Sequence, residues 1–165
     1  MTKTAALEII GQEEDTQKGK FLTFILGKES YGIEIKNVTE IIGIQPITEV
    51  PELPDYIRGI VNLRGKIIPV IDVRLRFKKQ FREYNERTCI IVVNIRDAFI
   101  GLIVDSVSEV IGIREEDIVS PSGINKGLSN KYIKGVAKVE NEVKLLLDCN
   151  ELLSNDEFKS LENIQ

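Results

Sequence analysis

The chain has 165 residues, enough for one domain or two small ones with a real core, and its 42% apolar and 29% charged residues are those of an ordinary globular protein. A net charge of −4, from 22 basic and 26 acidic side chains, argues against a nucleic-acid binder, which needs a basic excess to neutralise phosphates. Histidine is absent, which removes Ser-His-Asp and Cys-His catalysis, phosphohistidine transfer and nearly every zinc site together.

Residues 1–19 are polar and aperiodic, as Gly11 to Asp15 illustrate, and predict a loose tail. Phe21–Leu26 and Tyr31–Ile35 are short apolar runs joined by Gly27-Lys-Glu-Ser30, the pattern of a β-hairpin. Val38, Ile41 and Ile42 then recur at helical spacing and Gly43 follows as a stop, which predicts a helix of about two turns. Pro46, Pro51 and Pro54 punctuate a loop. Tyr56–Val61 and Ile67–Val73 flank the tight turn Leu63-Arg-Gly-Lys66, a second hairpin. The basic cluster Arg74, Arg76, Lys78, Lys79 and Arg82 reads as a solvated connector. Cys89 and Cys149 lie in apolar strand-like runs and read as small core hydrophobes. Ser154-Asn-Asp-Glu157 is a capping-box pattern that opens a final helix with Phe158 and Leu161 on one face, expected to pack across the rest. With no signal segment and no apolar run long enough to cross a bilayer, the chain is expected in the cytoplasm.

The pattern occurs twice. Residues 31–44 are echoed 69 positions later by 100–113, where Gly32, Val38, Glu40, Ile42, Gly43 and Ile44 recur as Gly101, Val107, Glu109, Ile111, Gly112 and Ile113. The second hairpin recurs at an offset of 76, with Tyr56, Gly59 and Asp72 matching Tyr132, Gly135 and Asp148. Such self-similarity marks one supersecondary unit used twice. Each unit offers four or five short strands, too few for a stable open sheet, so small closed barrels are the expected solution. The expected division is a tail over 1–19, barrel repeats over 20–83 and 84–153 between which strands are free to exchange, and a helix over 154–165.

Few residues suggest chemistry. Asp72 and Asp105 each follow an apolar run, as a phospho-acceptor would, but hairpins in place of βα units favour capping or turn roles. Glu40 and Glu109, at matching positions on the two expected helices, suit a scaffold or contact surface better than acid–base work. Gly59, Gly65 and Gly101 are isolated and form no phosphate cradle. Arg64 is a cation at a turn between two apolar strands, where the second repeat carries Glu140. It is either a solvent-exposed turn residue or a positioned contact on a partner surface. Val38 and Ile41 read as core. No metal, cofactor or catalytic residue is expected, so the chain reads as a non-enzyme.

Phe21–Gly27, Tyr31-Gly-Ile-Glu-Ile35, Val38-Thr-Glu-Ile-Ile42, Tyr56-Ile-Arg-Gly-Ile-Val-Asn-Leu-Arg-Gly65 and Ile68-Pro-Val-Ile-Asp72 together resemble the CheW family of chemotaxis coupling proteins. The likeness runs from about Phe21 to Leu153, and Asn62-Leu-Arg-Gly65 followed by Pro69 and Asp72 is its most specific part. The resemblance implies a mainly β fold of two SH3-like five-stranded barrels sharing an apolar core, with short helices and a C-terminal helix. It also implies an adaptor between chemoreceptor cytoplasmic tips and the regulatory domain of the chemotaxis histidine kinase, free-standing and a monomer on its own, with assembly into rings left open. By position, Val38, Glu40, Ile41, Asn62, Arg64, Val107 and Val110 are the receptor-groove candidates. Ile47 and Ile124, with their loops, are the kinase-contact candidates.

Overall fold

In a computed structural model, residues 17–121 and 131–162 are described. The order is β1 (Lys20–Leu26), β2 (Glu29–Glu34), β3 (Val38–Gly43), β4 (Ile57–Leu63), β5 (Lys66–Asp72), α1 (Val73–Arg76), β6 (Cys89–Ile95), β7 (Ala98–Val104), β8 (Ser106–Gly112), β9 (Ile118–Val119), β10 (Ile133–Val139), β11 (Glu142–Leu147) and α2 (Asn155–Glu162). They form a six-stranded sheet in the order β8-β1-β2-β11-β10-β9 and a five-stranded sheet in the order β3-β6-β7-β5-β4. The fold is therefore mainly β, as expected. The sheets cut across the repeat: β1 and β2 join the strands that follow β7, while β6 and β7 join β3, β4 and β5.

That exchange explains the composition of the strands. Along β6, Ile90 and Val92 face the interior of the five-stranded barrel, while Ile91 and Val93 face a second core shared with the other sheet. On the six-stranded side, Phe21, Ile113, Ala137 and Leu146 fill the barrel, while Leu22, Phe24 and Ile33 point into the shared core. The central strands thus have no solvated face. They read as continuous apolar runs rather than alternating ones.

The two short helices predicted at Val38–Gly43 and at its echo are corrected: both stretches are strands, β3 and β8. Val38 and Ile41 do lie on one side, but a bulge puts them there. Two residues of β3, between Val38 and Glu40, oppose one step of β6, so positions three apart face the same core. The same slip occurs where β8 meets β1, and it turns Val107 and Val110 to one side. Thr23, opposite the bulge, satisfies the interrupted ladder: its hydroxyl donates to the Glu109 carbonyl (2.9 Å) and accepts from the Glu109 amide (3.1 Å). A bulged strand carries the apolar spacing of a helix, and its β-branched residues decide for the strand.

The hairpin turns and the final helix form as expected. Arg64-Gly65, Arg96-Asp97 and Glu140-Asn141 all adopt positive φ, as two-residue hairpin turns demand. The capping box forms in both directions, with Glu157 amide to Ser154 Oγ at 3.2 Å and Ser154 amide to Glu157 Oε1 at 2.7 Å. Phe158 and Leu161 are buried against the shared core. Residues 17–19 of the expected tail are tied down, since the Gly19 carbonyl accepts from the Ile113 amide (2.8 Å). The rest of the tail lies outside the described residues.

Gly101 recurs from Gly32 for a steric reason. It sits where β7 runs parallel to β5, opposite Val70, and a Cβ there would lie 2.7 Å from Ile90 Cγ2 and 2.8 Å from Val70 Cγ1. Gly43 recurs as Gly112 with open space around both. Gly101→Ala should therefore cost about 1–3 kcal/mol, the range for overpacking, and Gly43→Ala less than about 0.5 kcal/mol. Urea unfolding of the two variants checks this, and equal stabilities would refute the packing account.

Candidate partner-binding surface

The receptor-groove candidates separate into a floor and a rim. Val38 and Ile41 are 2% and 8% exposed and belong to the shared core, so they support the edge strand β3 rather than line a surface. Val107 and Val110 on β8 are half-buried and pack on the same core, leaving part of each side chain at the surface. Cys89, at the start of β6, also packs there, with its thiol beside the Val107 backbone. Edge strand β8 and the start of β6, whose Cys89 pairs with Gly43 of edge strand β3, thus meet at one apolar surface.

The polar candidates stand at the end of the five-stranded barrel. Asn62 accepts the Gly65 amide on its Oδ1 (2.9 Å) and so fastens the β4–β5 turn. Arg64 occupies that turn with φ 51° and pairs with Glu40 of β3. β3 and β4 are opposite edges of the sheet, so this pair closes the barrel. The Glu40 carboxylate is only 12% exposed and the Arg64 side chain 68%. Arg64 is therefore an oriented cation that keeps most of its guanidinium in solvent. Its partner in the pair is a carboxylate that sequence reasoning had placed on a helix.

Ile47 is half-buried against the five-stranded barrel's core, beside Thr48, which exchanges two backbone hydrogen bonds with Ile60 (2.9 Å each). Ile124 lies outside the described residues. Glu140 occupies the turn equivalent to that of Arg64, φ 50°, and is exposed.

The basic cluster is not a solvated connector, and that expectation is corrected. Arg74 and Arg82 both bind Asp105 Oδ2, at 2.9 and 3.1 Å, and the Gly27 amide donates to the same oxygen at 2.7 Å. Lys79 reaches Glu29 at 2.7 Å. Arg76 lies over the rings of Tyr56 (4.3 Å) and Tyr132 (5.1 Å), donates from Nε to the Leu152 carbonyl (2.7 Å), and pairs with Glu157 of α2 (3.1 Å). The sequence hid this because each carboxylate or ring partner is remote in the chain. Asp72 keeps the expected capping role, accepting from the Leu75 amide (3.2 Å) and from Tyr84 Oη (2.7 Å), and Asp148 caps the turn Cys149–Glu151 through the Asn150 amide (3.0 Å).

Electrostatics follow burial. Desolvation pushes the Cys149 thiol up to about 12 and raises Cys89 above the usual thiol range. Tyr84 is raised by burial first and then by its bond to Asp72. Burial opposes ionisation of Glu34, but Lys134 (2.8 Å) and Lys36 (3.3 Å) outweigh it and hold the carboxyl below the usual glutamate range. Among the described residues, no three His, Cys, Asp or Glu side chains are grouped to hold a metal ion, and no helix is long and apolar enough to cross a membrane.

What these features define is a two-barrel β module whose charged residues bind one another and whose edge strand β8 meets the start of β6 at an apolar surface. A family model described as CheW-like domain matches residues 20–157. Chemotaxis protein CheW of Klebsiella aerogenes is 37% identical over 157 residues, covering 95% of this chain and 90% of that one. The protein of the same name from Bacillus subtilis is 34% identical over 142 residues, 86% of this chain and 90% of its own. The crystal structure of scaffolding protein TtCheW from Thermoanaerobacter tengcongensis superposes with a TM-score of 0.78 at 37% identity, over 84% of this chain and 94% of that one. The chain belongs to the CheW family.

Thiol reactivity tests the apolar surface. Cys149 titrates near 12 when folded, above its unfolded value, so its contribution to stability is intact below the ordinary thiol range and is lost as the pH rises toward 12. At pH 8, a disulfide-exchange reagent should find Cys89 reacting slowly in the native protein and Cys149 only after unfolding. Two fast native thiols would contradict the packing.

Proposed function

We propose that this chain is a non-catalytic adaptor that couples the cytoplasmic tips of chemoreceptors to the regulatory domain of the chemotaxis histidine kinase, acting in the cytoplasm at receptor arrays. Membership of a family whose named relatives are chemotaxis and scaffolding proteins supports the class of role. The observation that carries the finer reading is Arg64, an exposed cation fixed by its turn and by Glu40 beside the β3 edge. A planar guanidinium held in this way can offer its remaining N–H groups to a partner carboxylate at little further entropic cost.

In this reading a helical receptor tip lies along the β3–β8 seam. Val107 and Val110 bury against it, Val38 and Ile41 stiffen the floor from below, and Asn62, Glu40 and Arg64 form the polar rim. Apolar centre and charged rim are the ordinary division of such an interface. The Ile47 loop, on the five-stranded barrel, and the Ile124 loop are the proposed kinase contacts, which leaves the seam free for the receptor. An adaptor of this kind acts by holding two partners in a fixed relation, with no turnover.

Arg64→Ala should weaken capture of a receptor cytoplasmic fragment by about 1–3 kcal/mol, the range of an interface hot spot, while an exposed ion pair costs the fold less than about 1 kcal/mol. Titration of the fragment with thermal melts of both proteins separates the effects. Early melting with unchanged affinity would make Arg64 structural and sink its assignment. Saturating fragment should also slow labelling of Cys89, since the thiol lies beside Val107. Unchanged labelling in a formed complex would move the receptor away from the seam.

A further inference from the structure

The duplication is unequal at its two bulges. Val107 and Val110 on β8 repeat Val38 and Ile41 on β3 at the offset of 69, and Thr23 on β1 repeats as Val92 on β6. In β3 the bulge is held by burial, since Val38 and Ile41 are 2% and 8% exposed in the shared core. Val92, which faces that bulge, lies in the core of the five-stranded barrel and offers it no polar group. In β8 both valines are only half-buried, so packing fixes their direction less. The polar group that the other repeat lacks is present here. Thr23 is fully buried, and its hydroxyl donates to the Glu109 carbonyl at 2.9 Å and accepts from the Glu109 amide at 3.1 Å. One side chain thus holds both backbone groups of the residue that precedes Val110.

The location of a bulge decides which side chains an edge strand shows. Residues three apart share a side of β8 only where the extra residue lies between them, and a slip of one position sends side chains to the opposite face. Among the described residues β8 pairs with β1 alone, so a single ladder resists such a slip. We propose that Thr23 is a positioning residue for partner binding: its hydroxyl pins the bulge at Glu109 and keeps Val107 and Val110 together on the contact face. Buried as it is, Thr23 touches no partner itself. Without the hydroxyl, the Glu109 amide and carbonyl lose the bonds that make this the favoured place for the extra residue. An aliphatic side chain of the same size fits such a position, as Val92 shows, so the fold should survive the loss. The inference rests on the receptor contact proposed at Val107 and Val110.

Thr23→Val keeps the volume and removes the hydroxyl, whereas Thr23→Ser keeps the hydroxyl. In the full chain, Thr23→Val should speed hydrogen exchange at the Glu109 amide by about tenfold or more. It should also move the methyl signals of Val107 and Val110 while that of Ile41 stays. Affinity for a receptor cytoplasmic fragment should fall about tenfold, within the range of an interface hot spot. Thr23→Ser should restore exchange, signals and capture. Unchanged exchange and methyl signals in Thr23→Val would overturn the proposal, and so would a Thr23→Ser variant that behaves like it. Val107→Ala with Val110→Ala separates the proposal from the contact on which it rests. If that pair weakens capture and Thr23→Val, with its bulge altered, does not, the positioning role alone fails. If the pair leaves capture unchanged, the receptor contact on β8 fails and the positioning role falls with it.

Discussion

Arg76 sits where the two repeats meet. Its guanidinium lies between Tyr56 and Tyr132, which are equivalent residues of the two repeats, and its Nε binds the carbonyl of Leu152, its own counterpart at the offset of 76. A single side chain thereby touches equivalent residues of both repeats. It is tied to α2 as well through Glu157, the residue that also completes that helix's cap. Desolvating an arginine this fully, with its side chain 10% exposed, is tolerable only because rings, carbonyl and carboxylate all meet it. Removing any one partner leaves a buried charge underserved.

The shared core joins the same two repeats. Because β1 and β2 cross to one sheet and β6 and β7 to the other, neither repeat can complete a barrel alone. The apolar runs that pack one barrel on one face pack the common core on the other. Asp105, gripped by Arg74 and Arg82 and capping the Gly27 turn, ties the linking segment to both sheets at a second point. Residues of both edge strands, Val38 and Ile41 of β3 and Val107 and Val110 of β8, pack on that common core.

The duplication, the β character, the hairpin turns and the capping box were legible in the residues, because turn and cap chemistry is local. The helical reading of Val38, Ile41 and Ile42 failed for a definable reason. A β-bulge adds one residue to the period of two, so an apolar pair three apart can lie on one face of a strand. Arg64 was legible as a singular cation, but its partner Glu40 was not, since barrel closure joins strands that sequence order keeps apart. For the same reason Arg74, Arg76 and Arg82 looked like a solvated run: their carboxylates and rings stand remote in the chain. Long-range pairing of charges leaves no local pattern, and the role of this segment becomes visible only once strand exchange is known.

If the two barrels are one folding unit locked at Arg76, calorimetric unfolding will show it. The unaltered protein should show a single transition whose calorimetric and van't Hoff enthalpies agree, and Arg76→Met a lower, broader or split one. Two resolved transitions in the unaltered protein, or an Arg76→Met variant that unfolds as one unit at the same temperature, would contradict it.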